Sequence, residues 1–207
     1  MGEITKINHV VKPGDCCASL GFQFKVPWKK IWDFGENAEV KQLRKNPDVL
    51  NPGDKLVIPR EMGEEQCATD QRHNFVKKIE KIKLRVVLLE EDQPRKNLKY
   101  TLKIGSDEIQ GTTDGSGKLE HEISPGHKKA SLITDDSVYE LNLGHLNPKE
   151  VDSGVEQRLQ NLGFLGRNKS APIKSAAVTQ FKDKNGLPKN DTVDDATRDK
   201  LLEKHGS

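Results

Sequence analysis

The sequence predicts a multidomain α+β protein with three small modules: a βααβ unit, a central antiparallel β-sandwich and a C-terminal three-helix bundle. Two observations support this prediction. The hydrophobic pattern alternates in the middle of the chain and then changes to a helical period. The 207 residues are also polar, 33% hydrophobic and 32% charged, as expected for several small domains with much surface per core. The predicted boundaries are 7–60, 79–147 and 151–205, with a polar linker over 61–78.

Charge and hydropathy exclude several kinds of partner. Lys and Arg number 34 against 32 Asp and Glu, and this net charge of +2 predicts neither nucleic-acid binding nor attraction to an anionic membrane. The longest apolar run, 86–89, is far shorter than a membrane span of roughly 20 residues, so we expect no membrane insertion. The start MGEITKINHV lacks the apolar core of a signal peptide. We therefore expect synthesis in the cytoplasm and, for any export to the periplasm or a target cell, a secretion machine.

The three cysteines, Cys16, Cys17 and Cys67, limit the redox and metal chemistry. An odd number excludes a complete internal disulfide framework, and neighbouring cysteines do not form an ordinary loop disulfide with each other. No Cys or His cluster has the spacing of metal ligands, so we predict no metal and no cofactor. Reduced thiols and a redox bridge from Cys67 to Cys16 or Cys17 both remain open.

Turn and cap residues predict the first module. Pro13 fixes φ and Gly14 tolerates positive φ in the turn KPGD, and Asp15 is a natural N-cap for the helix that follows. Pro27 is a suitable first residue for a second helix. The predicted elements are a strand over 7–11, helices after Asp15 and Pro27, a polar helix over 36–43 and a strand over 55–59.

The two ends of this module resemble a LysM domain. HVVKPGD and NPDVLNPGDKLVIP stand at the separation seen in that family, which binds N-acetylglucosamine-containing glycans, including peptidoglycan and chitin, in a shallow groove between two loops. The stretch 31–50 is similar to the LysM variant found beside type VI secretion and contractile injection genes. The resemblance implies glycan-binding positions at Gly14, Asp15, Cys16 and Ala18 on the first loop, and at Asn46, Pro47, Asp48, Val49 and Leu50 on the second.

The chain departs from the LysM pattern directly after Gly14-Asp15. Ordinary LysM domains have a threonine here, whereas this chain has Cys16 and Cys17. A thiol is a weaker hydrogen-bonding group than a hydroxyl, so the substitution is expected to weaken glycan binding. The alternative interpretation is that the Asn-Pro and Pro-Gly-Asp pieces are turn formers that shape the fold alone.

The middle segment has the alternating pattern of strands joined by tight turns, of which 114–117 (DGSG) is the strongest. The predicted strands are 84–89, 99–104, 108–112, 118–123, 130–134 and 138–143. The string GTTDGSGKLEHEISPGHKKASLI resembles small transthyretin-like sandwiches. Calcium at Asp107, Asp114 and 135–136 is an alternative, but these residues lack the register of a calcium loop, and hairpin turns account for them.

The third segment has helical spacing and resembles the peptidoglycan-binding domain of many cell-wall hydrolases. The matching strings are GVEQRLQNLGFL, AAVTQFKDKNGLP and DDATRDKLL. In that family the ligand loop is normally an aspartate-glycine turn. The corresponding loop of this chain is residues 166–171 (GRNKSA), which is basic and lacks the aspartate. The usual Phe-Gln of the second helix is Phe181-Lys182. The resemblance implies contacts to a peptide stem or a protein partner from Arg167, Lys169 and Phe181; solvated surface charge is the alternative for the two cations.

The segments together predict a binding protein. No metal site, Cys-His pair or pair of opposed carboxylates is evident, and no segment of about 100 residues remains for a catalytic domain. The predicted function is non-catalytic binding of peptidoglycan through N-acetylglucosamine glycans. The alternative is a protein-interaction component of a type VI secretion or other contractile injection system, with a spike or toxin protein as its partner.

Overall fold

The computed structural model describes residues 4–61, 67–74, 80–91, 93–166 and 170–206. The chain forms two compact units, Met1–His145 and Leu146–Ser207. Across the described residues it is a mixed α+β protein with antiparallel sheets and six α-helices, in agreement with the predicted class. The three-domain layout stays a prediction, and half of its linker over 61–78 falls outside the described residues.

The first part of unit 1–145 is a two-stranded sheet with helices inserted between the strands. The strands pair antiparallel, with Ile7 opposite Ile58. Between them the chain makes three α-helices and a short 3₁₀ helix at Gly35–Asn37. The bounds are β1 Ile4–Val10, α1 Cys17–Phe24, α2 Trp28–Trp32, α3 Ala38–Arg44 and β2 Lys55–Glu61. Their shared core contains Val11, Cys17, Leu20, Val26, Ile31, Trp32, Leu50, Leu56 and Ile58.

The cap of α1 differs from the predicted one. Cys16, not Asp15, is the N-cap: its Sγ accepts a hydrogen bond from the Ser19 backbone N–H at 3.4 Å, and the Ser19 Oγ accepts one from the Cys16 N–H at 2.9 Å. The reason is that the Asp15 carboxylate is already engaged by Lys12 and by side chains outside the helix. The reciprocal pair is a capping box in which a thiol replaces the usual hydroxyl.

The second part of unit 1–145 consists of antiparallel strands around a second core. The sheet β10-β9-β6-β7 has four strands, and β3-β8 and β4-β5 are two-stranded. Leu102 pairs with Ile109 on one side and with Leu132 on the other. Residues of β3, β8 and the four-stranded sheet form one hydrophobic cluster. The bounds are β3 Ile82–Val87, β4 Leu89–Glu90, β5 Gln93–Pro94, β6 Lys99–Ile104, β7 Asp107–Thr112, β8 Lys118–Ile123, β9 Lys129–Ile133 and β10 Val138–Asn142.

Unit 146–207 contains three helices: α4 Asp152–Asn161, α5 Ala171–Lys184 and α6 Asp195–His205. The sequence predicts Asp194 as the N-cap of α6, and the structure confirms it, because Asp194 Oδ1 accepts a hydrogen bond from the Thr197 N–H at 2.8 Å. For α4 the sequence predicts Asp152 or Ser153 as the N-cap, and this is wrong: Val151 is the N-cap, and the Ser153 hydroxyl accepts a bond from the Asn147 side chain instead. The core consists of Val155, Leu159, Leu165, Ala177, Val178, Phe181 and Leu201.

Candidate functional site

The two loops predicted to border the groove meet in the structure. We call residues 12–16, between β1 and α1, the first loop, and residues 46–50, between α3 and β2, the second loop. The Cys17 N–H, directly after the first loop, donates a hydrogen bond of 2.9 Å to the Pro47 carbonyl oxygen of the second. The predicted positions 14–16 and 18 are therefore brought close to 46–50 by a backbone contact of Cys17.

The second loop is held by its own hydrogen bonds and by a buried ion pair at its base. Asn46 Oδ1 accepts a bond from the Asp48 N–H at 2.9 Å, which closes a tight turn. Arg44 donates two bonds of 2.8 Å to the two carboxylate oxygens of Asp54, and both side chains are less than a tenth exposed. Asp54 also accepts the Asn51 N–H at 2.9 Å. These contacts support the second loop through residues of the first part of unit 1–145.

The predicted positions differ sharply in exposure. Asn46 and Asp48 are exposed and Pro47 is half-buried. The other predicted positions are buried: Gly14, Asp15, Cys16, Ala18, Val49 and Leu50. The surface that the predicted positions offer to a ligand is therefore formed by the second loop.

Asp15 of the first loop is a buried and fully engaged carboxylate. Its side chain is 4% exposed; Oδ1 accepts from Lys128 Nζ at 2.7 Å, and Oδ2 lies 2.9 Å from both His9 Nε2 and the Lys12 N–H. Burial alone would raise the pKa of Asp15, but the hydrogen bonds from Lys128, Lys12 and His9 outweigh it and hold the pKa below the usual value. Asp15 is thus ionised at neutral pH.

The backbone of the first loop is covered by residues that follow β8 and β10. Gly14 has φ +83°, and a β-carbon placed on it would lie 2.6 Å from His145 Nε2. A β-carbon on Gly144 would lie 3.1 Å from the Gly14 carbonyl oxygen. Burial lowers the pKa of His145, and the charges of Lys128 and Lys129 lower it further. The imidazole against Gly14 is therefore favoured in its neutral form.

The cysteines beside the loops are unreactive thiols. Burial raises the pKa of Cys16 above its usual value, and burial together with the neighbouring Cys16 and Asp48 raises the pKa of Cys17 to about 12. A thiol with such a pKa is not a nucleophile at neutral pH, because the thiolate is the reactive form. All three cysteines are free: Cys16 and Cys17 are buried and Cys67 is exposed.

Of the predicted contact residues of the helical unit, the structure describes Phe181. Arg167 and Lys169 lie outside the described residues. Phe181 is completely buried and packs edge to face against Phe164, with ring centroids 5.3 Å apart. The neighbouring Lys182 is also buried; its Nζ donates to Asn190 Oδ1 at 2.7 Å and to the Thr192 carbonyl at 3.0 Å. Both residues stabilise the helical unit from inside.

The acidic residues in the turns of the strand region are engaged by hydrogen bonds and ion pairs within that region. Asp114 Oδ1 accepts from the Ser116 N–H, the Ser116 hydroxyl and the Lys118 N–H at 2.7–2.9 Å, and these bonds lower the pKa of Asp114. Asp136 forms a bidentate ion pair with Arg95.

Within the part of the chain that the structure describes, no group of three His, Cys, Asp or Glu residues is arranged to hold a metal ion. No helix there is both long and apolar enough to cross a bilayer.

Sequence reasoning missed the residues that decide the exposure of the first loop. Lys128 and His145 are separated from Asp15 and Gly14 by more than 100 positions, and no local motif links them. His9 lies in a predicted strand, and no sequence pattern indicates that its partner is Asp15. The Arg44–Asp54 pair was also missed, although an Arg before and an Asp after a turn-rich segment is a weak signal for such a pair.

Comparison with known families supports the interpretation of the first part. The family model for the LysM domain matches residues 9–35, which run from the end of β1 through the first loop, α1 and α2. LysM is a binding domain for peptidoglycan and related N-acetylglucosamine glycans, and it is not catalytic. Searches of the curated proteins and of the solved structures give no match.

Proposed function

We propose that this protein binds peptidoglycan without cleaving it, and that its LysM segment recognises N-acetylglucosamine glycans. The observation that carries the proposal is the LysM match over residues 9–35, together with the hydrogen bond that joins Cys17, inside that match, to Pro47 of the second loop, which lies beyond it. A sugar chain in a shallow groove needs backbone groups and a few polar side chains on one continuous surface. The second loop, tied to the first through Cys17 and Pro47, supplies the exposed part of such a surface.

The exposed residues of the second loop have suitable chemistry for a sugar. Asn46 carries an amide that both donates and accepts, and Asp48 carries a carboxylate that accepts from hydroxyl and N-acetyl N–H groups. The Asx turn holds both side chains on a backbone of defined shape, so little conformational freedom is lost on binding. The neutral thiols of Cys16 and Cys17 fit a binding role, since neither is activated for attack.

Sedimentation with insoluble peptidoglycan sacculi tests the proposal. We expect the full-length protein to pellet with sacculi at low and at physiological salt, because hydrogen bonds in a groove are screened less than surface charge. Asp48→Lys should release most of the protein into the supernatant. Glu39→Lys is the matched control: it makes the same charge reversal at an exposed position of α3, outside both loops, and should pellet like the unmodified protein.

Two results would contradict the proposal. One is a full-length protein that stays soluble with sacculi at low salt. The other is equal release of Asp48→Lys and Glu39→Lys, because retention would then depend on overall charge rather than on the second loop.

One observation favours a second candidate function, a protein-interaction component such as a spike adaptor, cargo or toxin partner of a contractile injection or type VI secretion system. Gly14 and Asp15 of the first loop are buried against protein groups, His145 and Lys128. A LysM surface that accepts protein residues within the chain is also suited to accept them from a partner. Solubility in the sacculus assay would favour this alternative, and with it delivery by a secretion machine.

A further inference from the structure

The contact between the first loop and the strand region is a feature that the glycan-binding proposal does not use. It lies within unit 1–145 and joins the LysM segment to residues 126–128 and 144–145. We propose that this contact is a reversible lock: it closes the first loop, and it must open before a glycan can reach Gly14 and Asp15. The inference rests on the proposed function for the identity of the ligand, but the lock itself is a property of the chain alone.

An ion pair of unequal exposure is the charged part of the lock. The Asp15 carboxylate is 4% exposed, whereas the Lys128 side chain is 46% exposed, and their atoms lie 2.7 Å apart. The Lys128 ammonium can therefore be hydrated when it leaves, but its departure takes a positive charge away from a buried carboxylate that retains His9 and the Lys12 N–H. This asymmetry makes the closed state favourable and lets the opening begin at Lys128.

Close packing of side chains and backbone against three glycines is the steric part of the lock. His145 lies against the α-carbon of Gly14, and Gly144 lies against the Gly14 carbonyl oxygen. Farther along α1, the ring of Phe22 lies against Gly126, where an added β-carbon would be 2.5 Å from Cε1. In this closed state Gly14 is buried, and a sugar hydroxyl cannot approach its backbone without displacing the imidazole.

The geometry of the lock sets its effect on binding. The second loop keeps Asn46 and Asp48 exposed when the lock is closed, so a glycan can make first contact there. Contact with both loops requires the open state, and the apparent affinity is then reduced by the fraction of molecules that are open. A variant that weakens the lock without touching the groove should bind more tightly.

Substitution at Lys128 tests the lock. Lys128→Met removes the ammonium and keeps an unbranched side chain, and Lys129→Met is the matched control at the next, exposed position, which has no hydrogen bond to Asp15. Hydrogen exchange of the full-length protein is followed by mass spectrometry in peptides covering 12–18 and 124–130. We expect exchange in both peptides to accelerate about tenfold or more in Lys128→Met, because a hydrogen bond to a charged group contributes at least that factor. Lys129→Met should exchange like the unmodified protein.

A binding measurement with a soluble N-acetylglucosamine oligomer completes the test. We expect Lys128→Met to bind the oligomer more tightly than the unmodified protein and Lys129→Met to bind it equally. Unchanged exchange in Lys128→Met, with a native circular dichroism spectrum, would overturn the lock. Faster exchange with weaker binding would overturn it too, since Lys128 would then be a ligand contact. Absence of binding by every protein would contradict the glycan function, whereas the exchange result would still decide whether the loop is locked.

Discussion

The first and second loops form an instructive pair, the first inside the LysM match and the second beyond it. They are tied by one backbone hydrogen bond, and each contains a turn rich in Gly, Pro, Asn and Asp. Yet the first loop has a buried, ion-paired aspartate, and the second has an exposed one. The second loop is held from within its own module by Arg44 and Asp54, whereas the first is covered by residues more than 100 positions away. Local turn chemistry shapes a loop, but long-range packing decides whether a ligand can reach it.

The largest effect should follow from removing the support of the second loop. Arg44→Met leaves Asp54 as a buried carboxylate without its guanidinium partner, and we expect the first part of unit 1–145 to lose about 3–5 kcal/mol of unfolding free energy. Lys41→Met is the control, because the Lys41–Asp33 pair is exposed and should contribute less than about 1 kcal/mol. Urea titration followed by tryptophan fluorescence measures both, since Trp28 and Trp32 belong to this segment. Equal losses of unfolding free energy in Arg44→Met and Lys41→Met would show that the buried Arg44–Asp54 pair stabilises the fold no more than an exposed pair does.

A smaller effect is expected at the point where the first loop meets His145. Gly14→Ala forces a left-handed backbone onto a residue with a β-carbon, which costs about 1–2 kcal/mol, and it also pushes against the imidazole. Combining it with His145→Ala should recover about 0.5 kcal/mol or more of the loss, because the clash disappears while the backbone strain remains. Strict additivity of the two substitutions in thermal or urea unfolding would contradict the contact.

The smallest effect should be a difference in how the two loops respond to acid. Asp15 has a folded pKa below its usual 3.8, so its contribution is present above that value and is lost as the pH falls through the folded pKa. His145 has a folded pKa below its usual 6.5, so its neutral contact is fully favourable above pH 6.5 and weakens as the pH falls below it. Its protonated ring would face Lys128 and Lys129. The first loop should therefore loosen progressively below pH 6.5.

The second loop should respond in the opposite direction. Partial desolvation of the Asp48 carboxyl raises its pKa, because the folded state disfavours the charged form. Protonation of Asp48 as the pH falls therefore removes this desolvation penalty and does not destabilise the fold. Hydrogen exchange between pH 7 and pH 5, corrected for the intrinsic pH dependence of exchange, should show faster opening at 12–18 and no such change at 46–50. Equal acceleration in both loops would mean that acid destabilises the whole segment and would contradict the difference between them.

Much of the local structure was determined by the sequence itself. Alternation in residues 99–104 and 118–123 is sufficient for strands, and Asp194 followed by a helix-forming run is sufficient for a capped helix, because these signals act over a few residues. The turn residues at 12–15 and 46–54 also defined two loops and, through the LysM pattern, a candidate groove. The predicted N-cap of α1, Asp15, was wrong by one position. The Asp15 carboxylate is engaged by Lys128, which is distant in the chain, and Cys16 caps the helix.

Tertiary structure alone decided which groove residues are exposed. The ion pair of Asp15 with Lys128 and the imidazole against Gly14 join residues that no local pattern connects. A carboxylate or a lysine has the same propensities in the sequence whether it ends in water or in a core; its burial depends on which charges the fold brings within about 3 Å. The sequence determined the loops of this protein and their chemistry, and the packing of distant residues determined their access to solvent.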